Sequence, residues 1–386
     1  MKKWKIPFNK PFIIGNELSN IQEAVNSGHL AGDGIYTAKC SAWMEKRFQA
    51  SKVLLTDSCT SALEMAAILC GISEGDEVIL PSFTFVSTAN AFLSRGAQLK
   101  FIDIRPDTLN LDESLIEDAI NEKTRVVVPV HYGGVGCEMD TICAIAEKYN
   151  LTVVEDAAQG VNARYRQKYL GTIGHLGTFS FHGTKNFICG EGGALLVNEP
   201  ALSERAEIIR EKGTNRSKFF RGEVDKYTWI DVGSSYLPSE LTAAFLYAQL
   251  QEADTIDRRR QKIRDLYRSG IRDLAKEGLI EIPHVPEECR SNAHMFCVLL
   301  NSGKERNSFI EFLASRGIHA VFHYLPLHSS PMGRKICGDL RLPVTESVSD
   351  RLVRLPCFYE LTDSQVETVL SQVHAYFGKE FNGAGC

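Results

Sequence analysis

Short apolar runs alternate with longer amphipathic ones through the first two-thirds of the chain. Residues 53–55, 78–80, 99–103, 125–130, 151–155, 178–182 and 194–197 are β-branched or leucine-rich segments of strand length, and Met139–Tyr149 and 202–212 between them carry helical spacing. Strands separated by crossover helices predict a wound, mostly parallel sheet. Beyond it, 239–253 reads as a helix, the charged stretch 254–276 as one long linking helix, and 295–300 and 319–324 as strands of a smaller α+β unit. The expectation is an α/β chain with a large unit at 1–250, N-terminal segment included, and a small C-terminal unit at 251–386. No internal repeat, low-complexity tract or flexible linker interrupts the pattern.

Chemistry collects where those strands end. The run Leu151-Thr-Val-Val-Glu155 closes on Asp156, and open α/β sheets place ligands beyond the carboxyl ends of their strands. An aspartate there also caps turns, so Asp156 alone does not decide. The run at 178–182 passes through Gly183 and Thr184 into Lys185 and the glycine-rich Cys189-Gly-Glu-Gly-Gly193, which puts a lysine at a strand exit, where lysines are usually solvated. A third element changes the balance. Leu54-Leu-Thr-Asp57 leads into Ser58, Cys59, Thr60 and Ser61 and then into a helix-forming segment closed by Gly71, so hydroxyls and free N–H groups gather at a helix N-terminus, where a phosphate dianion is stabilised. Taken by itself it is equally an ordinary N-cap. Neither a P-loop nor a Gly-x-Gly-x-x-Gly fingerprint is present. Phosphate cup, carboxylate and amine together match the needs of pyridoxal 5'-phosphate: an anchor for its phosphate, a carboxylate for its ring nitrogen and an amine to hold it covalently.

In that order the three elements resemble the DegT/DnrJ/EryC1/StrS family of sugar aminotransferases, and the resemblance runs from about residue 6 to the Leu355-Pro-Cys-Phe-Tyr359 region. It implies a fold-type I aminotransferase with a mostly parallel wound sheet in the large domain and a smaller α+β C-terminal domain. It implies Lys185 and Asp156 as catalytic residues, Thr60, Ser61 and Ser180 at the phosphate, Phe85 stacked on the ring and Gln159 on its phenolic side. Core packing is the competing role for Phe85, and satisfying a backbone group the competing role for Ser180. Many members carry an asparagine that reaches the cofactor phosphate of the partner subunit; this chain reads Val232-Gly-Ser-Ser-Tyr236, with Ser235 in that place. A shorter hydroxyl puts a direct contact in question, or routes it through water. A homodimer with shared sites is implied.

Leu30-Ala-Gly-Asp-Gly34, Pro81-Ser-Phe-Thr-Phe-Val-Ser-Thr-Ala-Asn-Ala91, Val130-His-Tyr-Gly-Gly-Val135, Glu211-Lys-Gly-Thr-Asn-Arg-Ser217 and Val321-Phe-His-Tyr-Leu-Pro-Leu-His328 resemble the branch that makes dTDP-4-amino-4,6-dideoxygalactose. The implied substrates are dTDP-4-keto-6-deoxy-D-glucose and L-glutamate. Arg216, Lys218, Phe220 and Arg221 offer cations and aromatics for a diphosphate and a thymine ring, against the alternative of a solvated loop. Tyr324 and His328 resemble sugar-side residues, a structural histidine being the competing role for His328. A 3-aminotransferase, an enzyme giving the gluco epimer and a non-catalytic nucleotide-sugar sensor remain as alternatives. The related dehydratases replace the lysine with histidine, and Lys185 argues against them.

Composition narrows the classes further. A chain of 386 residues with 44% hydrophobic content can bury a large core. A net charge of −5 gives no electrostatic reason to expect nucleic acid, and no apolar run approaches the about 20 residues that span a bilayer. The start Met1-Lys-Lys-Trp-Lys-Ile-Pro7 lacks a secretory apolar segment, so a cytoplasmic enzyme is expected. Eleven cysteines with no Cys-x-x-Cys pair predict reduced thiols, and the histidines lack metal-ligand spacing, so no metal is expected.

Overall fold

The structure, a computed structural model, describes residues 4–381 and 383. Its first five strands are β1 (Lys52–Thr56), β2 (Glu77–Pro81), β3 (Gln98–Ile102), β4 (Thr124–Val127) and β5 (Thr152–Asp156). A two-residue hairpin, β6 (Arg164–Tyr165) and β7 (Lys168–Tyr169), precedes β8 (Leu176–Ser180) and β9 (Gly193–Val197). The central sheet has seven strands in the order β1-β9-β8-β5-β4-β2-β3. All run parallel except β9, which is antiparallel to both its neighbours, β1 and β8.

Both faces of this sheet are covered, which is why its strands read as continuous apolar runs rather than alternating ones. Val53, Leu55, Ile79, Val127, Val153 and Leu196 point into one core, and Leu54, Val78, Leu80, Val126, Val154 and Leu195 into the other. The helix Cys59–Leu69 packs into the second core with eight of its residues buried. Ser58 caps it, its side chain accepting from Ser61 N–H, and Gly71 turns the chain out at φ +69°, a conformation that favours glycine.

The C-terminal unit pairs β11 (Phe296–Leu299) with β12 (Leu352–Leu355), while β10 (Cys289–Arg290) pairs back onto β6. Ile263, Tyr267, Phe296, Val298, Phe309, Val353 and Leu370 build its core, which also takes in Ile6 from the start of the chain. Two expectations change here. The stretch 254–276 is two helices, Ala253–Gly270 and Arg272–Lys276, broken at Ile271. Gly270 presses against the helix Asp363–Tyr376 so closely that a Cβ there would lie 2.5 Å from Leu370 Cδ1, and the chain turns at that contact. Residues 319–324 do not form a strand: only Val321 bridges, to Arg354, because Ile318 and Ala320 enter the core while Tyr324 turns to a cavity between the two units.

Candidate active site

The carboxyl ends of β1, β5 and β8 converge on the start of β9, with Thr56 and Ser180 both opposite Gly193 and Asp156 opposite Thr178. Gly193 has no room for a side chain, since a Cβ would sit 2.4 Å from the Cys59 nitrogen. The β8–β9 connection therefore abuts the N-terminus of the Cys59–Leu69 helix. A cavity of about 470 Å³ opens at this point, lined by Ser58, Thr60, Phe85, Asp156, Gln159, Ser180, Lys185, Tyr324 and Arg354 among others.

Lys185 sits in the turn after β8, its N–H donating to His182 O at 2.8 Å while Gly183 N–H donates to Gly190 O at 2.9 Å. The next residue anchors the turn: Asn186 Nδ2 donates to Asn292 O at 2.9 Å, and its Oδ1 meets His294 Nδ1 at 3.0 Å. Burial pushes the Lys185 ammonium below its ordinary pKa, the positive Arg354 adds to the fall, and Cys59 and Asp156 oppose it. The amine is thereby favoured in its nucleophilic, unprotonated form. Burial also pushes the Cys59 thiol up to about 12, so it stays protonated beside the lysine.

Asp156 is held on both oxygens. Oδ2 accepts from Thr88 Oγ1 at 2.6 Å and Oδ1 from Ala158 N–H at 3.1 Å. Thr88 spends its only hydroxyl proton on the carboxylate, so Thr84, 2.9 Å away, must donate to Thr88. Gln159 is fixed in the same way: its Oε1 accepts from Gly133 N–H at 2.7 Å and its Nε2 donates to the Tyr324 hydroxyl at 3.0 Å. Tyr324 thus keeps its own proton, and burial raises its pKa so that it remains a phenol.

Pyridoxal phosphate fits this donor set. The first N–H groups of the helix at Cys59 and Thr60 lack intrahelical acceptors, and Ser58 and Ser180 add hydroxyls beside them, which makes a phosphate cradle. Phe85 caps the following helix yet is 56% exposed, an aromatic face with room for a ring against it. Asp156 offers an oriented carboxylate and Lys185 a buried amine in the same cavity.

Of the sequence-predicted residues, Lys185, Asp156, Thr60, Phe85, Gln159, Ser180 and Tyr324 line this cavity, and the others lie elsewhere. Ser61 turns its N–H and hydroxyl to Ser58. Ser235 is exposed and bridges Glu211. Arg216, Lys218, Phe220 and Arg221 lie on or beside the short helix Arg216–Phe220, with Arg216 paired to Glu211 at 3.5 Å, Lys218 to Glu204 at 2.7 Å and Arg221 to Glu207 at 2.8 Å. Each of these three cations is paired within the chain. His328 does not face the cavity but is buried, its Nδ1 2.7 Å from Ser82 Oγ and its Nε2 3.3 Å from Glu346. Sequence reasoning missed Thr88 and Arg354. The first stands in the quoted Pro81-to-Ala91 stretch one helical turn from Thr84, and the second is a lone arginine in the apolar run of β12.

Among the described residues no helix is long and apolar enough to cross a membrane, and no cluster of ligating side chains could hold a metal. The described cysteines are free.

The DegT/DnrJ/EryC1/StrS aminotransferase family model matches residues 11–374. The spore coat polysaccharide biosynthesis protein SpsC of Bacillus subtilis is 32% identical over 382 residues, covering 95% of this chain and 96% of that protein. Among solved structures, the aminotransferase TlmJ from Streptoalloteichus hindustanus is 29% identical with a TM-score of 0.88, covering 97% of this chain and 99% of that one. The putative sugar aminotransferase Spr1654 from Streptococcus pneumoniae, in its PMP-form, is 25% identical with a TM-score of 0.89, covering 96% and 99%. The architecture is that of the fold-type I aminotransferases.

Proposed function

Since the chain belongs to the DegT/DnrJ/EryC1/StrS aminotransferase family and is a pyridoxal phosphate-dependent sugar aminotransferase, we propose that it carries the amino group of L-glutamate to C4 of dTDP-4-keto-6-deoxy-D-glucose, giving dTDP-4-amino-4,6-dideoxy-D-galactose and 2-oxoglutarate. The observation that carries amino transfer is the meeting of a buried lysine amine, its proton affinity lowered by desolvation, and a clamped carboxylate in one cavity. Support for the sugar comes from the sequence stretches that resemble the dideoxygalactose branch, among them Gly-Asp-Gly at 32–34 and Gly-Ser-Ser-Tyr at 233–236.

When bound, pyridoxal phosphate supplies an aldehyde carbon that takes up amino groups and a cationic ring that stores the electron pair released at a substrate carbon. The chain does the rest. Ser58, Thr60 and Ser180 with the helix N-terminus would hold the phosphate, Phe85 would offer its ring face to the cofactor, and Asp156, oriented by Thr88 and Ala158, would pair with the ring nitrogen. Lys185 Nζ is the amine that would hold the cofactor, and the same group, when free, would be the base that takes a proton from the donor's α-carbon. Its low proton affinity at rest suits it to a base that must first be neutral. In the second half the same Nζ delivers a proton to C4 of the sugar. Because Lys185 is fixed, an axial C4 amine requires the sugar ring to be turned over relative to its placement in an enzyme making the gluco epimer. The residues that hold the sugar then set the configuration.

The same reading includes a homodimer. Phe220, Tyr227, Trp229, Ile230 and Val232 are exposed along one segment, Trp229 by 78%, and Ser235 follows them. Apolar exposure of this kind marks an interface, and a second copy covering it would bring Ser235 to a neighbouring site. The test of the substrate is incubation with L-glutamate and a panel of 3-keto and 4-keto dTDP-sugars, followed by NMR of the product. Amination at C3, or an equatorial C4 amine, sinks the sugar assignment and leaves the aminotransferase standing.

A further inference from the structure

The long helix Ala253–Gly270 buries one side and leaves the other open. Ile256, Ile263 and Tyr267 are buried, and Arg260 goes in with them, its Nε donating to Ala293 O at 3.1 Å and its Nη2 to His294 O at 2.6 Å. The outer side of the helix, with Arg272 from the next helix and Arg290 from β10, lines a groove of about 930 Å³ that shares no residue with the cavity around Lys185.

The charges of this groove do not cancel. Its carboxylates are engaged from the side: Asp254 pairs with Arg47, Asp265 with Arg264 at 2.9 Å, and Asp257 accepts from Asn162 Nδ2. Lys262 is met by Asp363. Arg258, Arg268, Arg272 and Arg290 line the same groove and are exposed, and among the described residues none of the four has an ion pair. Arg258 donates only to Thr255 Oγ1, at 3.2 Å. Glu287 and Glu288 precede Arg290 in the chain, but neither lines the groove or pairs with it. Asp257 balances little of this charge. Burial pushes its carboxyl up to about 7 against the pull of Asn162, Arg260, Arg47 and Arg290, and its Oδ1 is buried with no hydrogen-bond partner.

Four unpaired guanidinium groups in one concavity call for anions, and the guanidinium fork matches phosphate oxygens in pairs. Their spacing selects the shape. Arg258 and Arg268 lie about 15 Å apart along the helix at about 1.5 Å per residue, so one anion cannot serve both and the ligand must be elongated. The groove has the volume of a small-molecule site, roughly 300–1,000 Å³, and the chain's net charge of −5 opposes the approach of a long polyanion. We propose that this groove binds a small oligophosphate, a molecule carrying two or more linked phosphate groups, outside the active site. The groove also backs onto the lysine turn. Arg260 and Gln261 hold residues 291–294 through Ser291 O, Ala293 O and His294 O, and Asn292 and His294 in turn hold Asn186, the neighbour of Lys185.

The test is calorimetric titration of the holoenzyme, cofactor bound, with inorganic triphosphate at about 0.15 M NaCl, where exposed charges more than about 8 Å apart are largely screened. The expected result is one site per chain with a Kd below about 1 mM, and orthophosphate weaker by about 10-fold or more. The double variant Arg268→Gln/Arg272→Gln, and separately Arg290→Gln, should each weaken triphosphate by about 10-fold or more through loss of charged hydrogen bonds, whereas Arg316→Gln, outside the groove, should leave it unchanged. None of these arginines lines the cavity around Lys185, so a wild-type rate in the glutamate half-reaction confirms that the variants are folded. Pyrophosphate and ADP, titrated in parallel, separate the sources of the phosphates: tighter binding of ADP adds a nucleoside to the ligand, and equal binding leaves the phosphates as the whole recognised group. Absence of triphosphate binding at about 1 mM, equal affinity for orthophosphate, or binding that survives in both groove variants overturns the proposal.

Discussion

Replacing Thr88 with valine keeps the shape of a buried side chain and removes one hydroxyl, the group that donates to Asp156 Oδ2 at 2.6 Å. Two things are lost. The carboxylate keeps only the Ala158 N–H, so its plane is no longer fixed against the cofactor ring, and Thr84 loses the acceptor it has at 2.9 Å while remaining buried. A hydrogen bond to a charged group contributes about 1.5–3 kcal/mol, which corresponds to about 10- to 150-fold in a binding or rate constant at 1.4 kcal/mol per tenfold. Since Asp156 pairs with the bound cofactor, the loss should appear in the pyridoxal phosphate dissociation constant, measured by absorbance titration of dialysed protein, and in the rate of the glutamate half-reaction. Thr88→Ser retains the hydroxyl and should recover most of both, which separates positioning of Asp156 from simple packing. Wild-type cofactor affinity and rate in Thr88→Val would show that the Thr88 contact contributes nothing to the carboxylate's task.

Lys185→Ala should abolish multiple turnover and borohydride trapping of the cofactor on the protein, while binding through the phosphate cup survives; sustained turnover would move the catalytic amine elsewhere. His328→Asn should lower stability by about 1–3 kcal/mol in denaturant titrations, since it breaks the buried Ser82–His328–Glu346 chain, with kcat for sugar amination nearly unchanged; a selective rise in the sugar KM would return His328 to the substrate. Trp229→Asp, placing a charge on the exposed apolar segment, should shift the assembly from dimer toward monomer by light scattering; a wild-type monomer with full activity would remove the shared-site reading. Burial holds His294 well below its ordinary pKa of 6.5, so the unfolded chain gains a proton there that the native state refuses. Stability should therefore fall as pH drops below about 6.5, and His294→Asn should flatten that slope in pH-dependent melting.

The sheet was legible because each of its strands is buried on both faces, which leaves an apolar run with no ambiguity of period. The residues that Asp156 and Lys185 expose at strand ends could be read from the same runs. What the pattern hid were relations between distant segments. Thr88 matters only because the helix Val86–Leu93 brings it to β5, and Arg354 only because β12 turns one face to its own core and the other to the cavity. A related case is the cations of the 216–221 stretch: Arg216, Lys218 and Arg221 look unpaired in sequence, but Glu211, Glu204 and Glu207 reach them from the preceding helical segment. The break at Ile271 follows Gly270, a local stop signal that the charged pattern of 254–276 masked, and Leu370 packs against that glycine from far along the chain.

The strap at the start of the chain has a consequence for how the protein is made. Ile6 pairs with Ile318 and joins the C-terminal core, Phe8 lies over Arg354 on the way, Asn9 holds Gly183 in the lysine turn, and Phe12 stacks on Tyr359. Ile6, Phe8 and Phe12 thus have partners at residues 318–359, and loop-closure entropy delays contacts of such separation. The parallel sheet can assemble before the C-terminal unit exists, since its strands lie between residues 52 and 197. The contacts of Ile6, Phe8 and Phe12 with Ile318, Arg354 and Tyr359 must wait until translation has passed residue 359. The wall of the cavity that carries Phe8, His323, Tyr324 and Arg354 is therefore completed only after those later residues have been made, and a ribosome-bound chain stalled before Ile318 would carry Lys185 and Asp156 in a sheet without that wall.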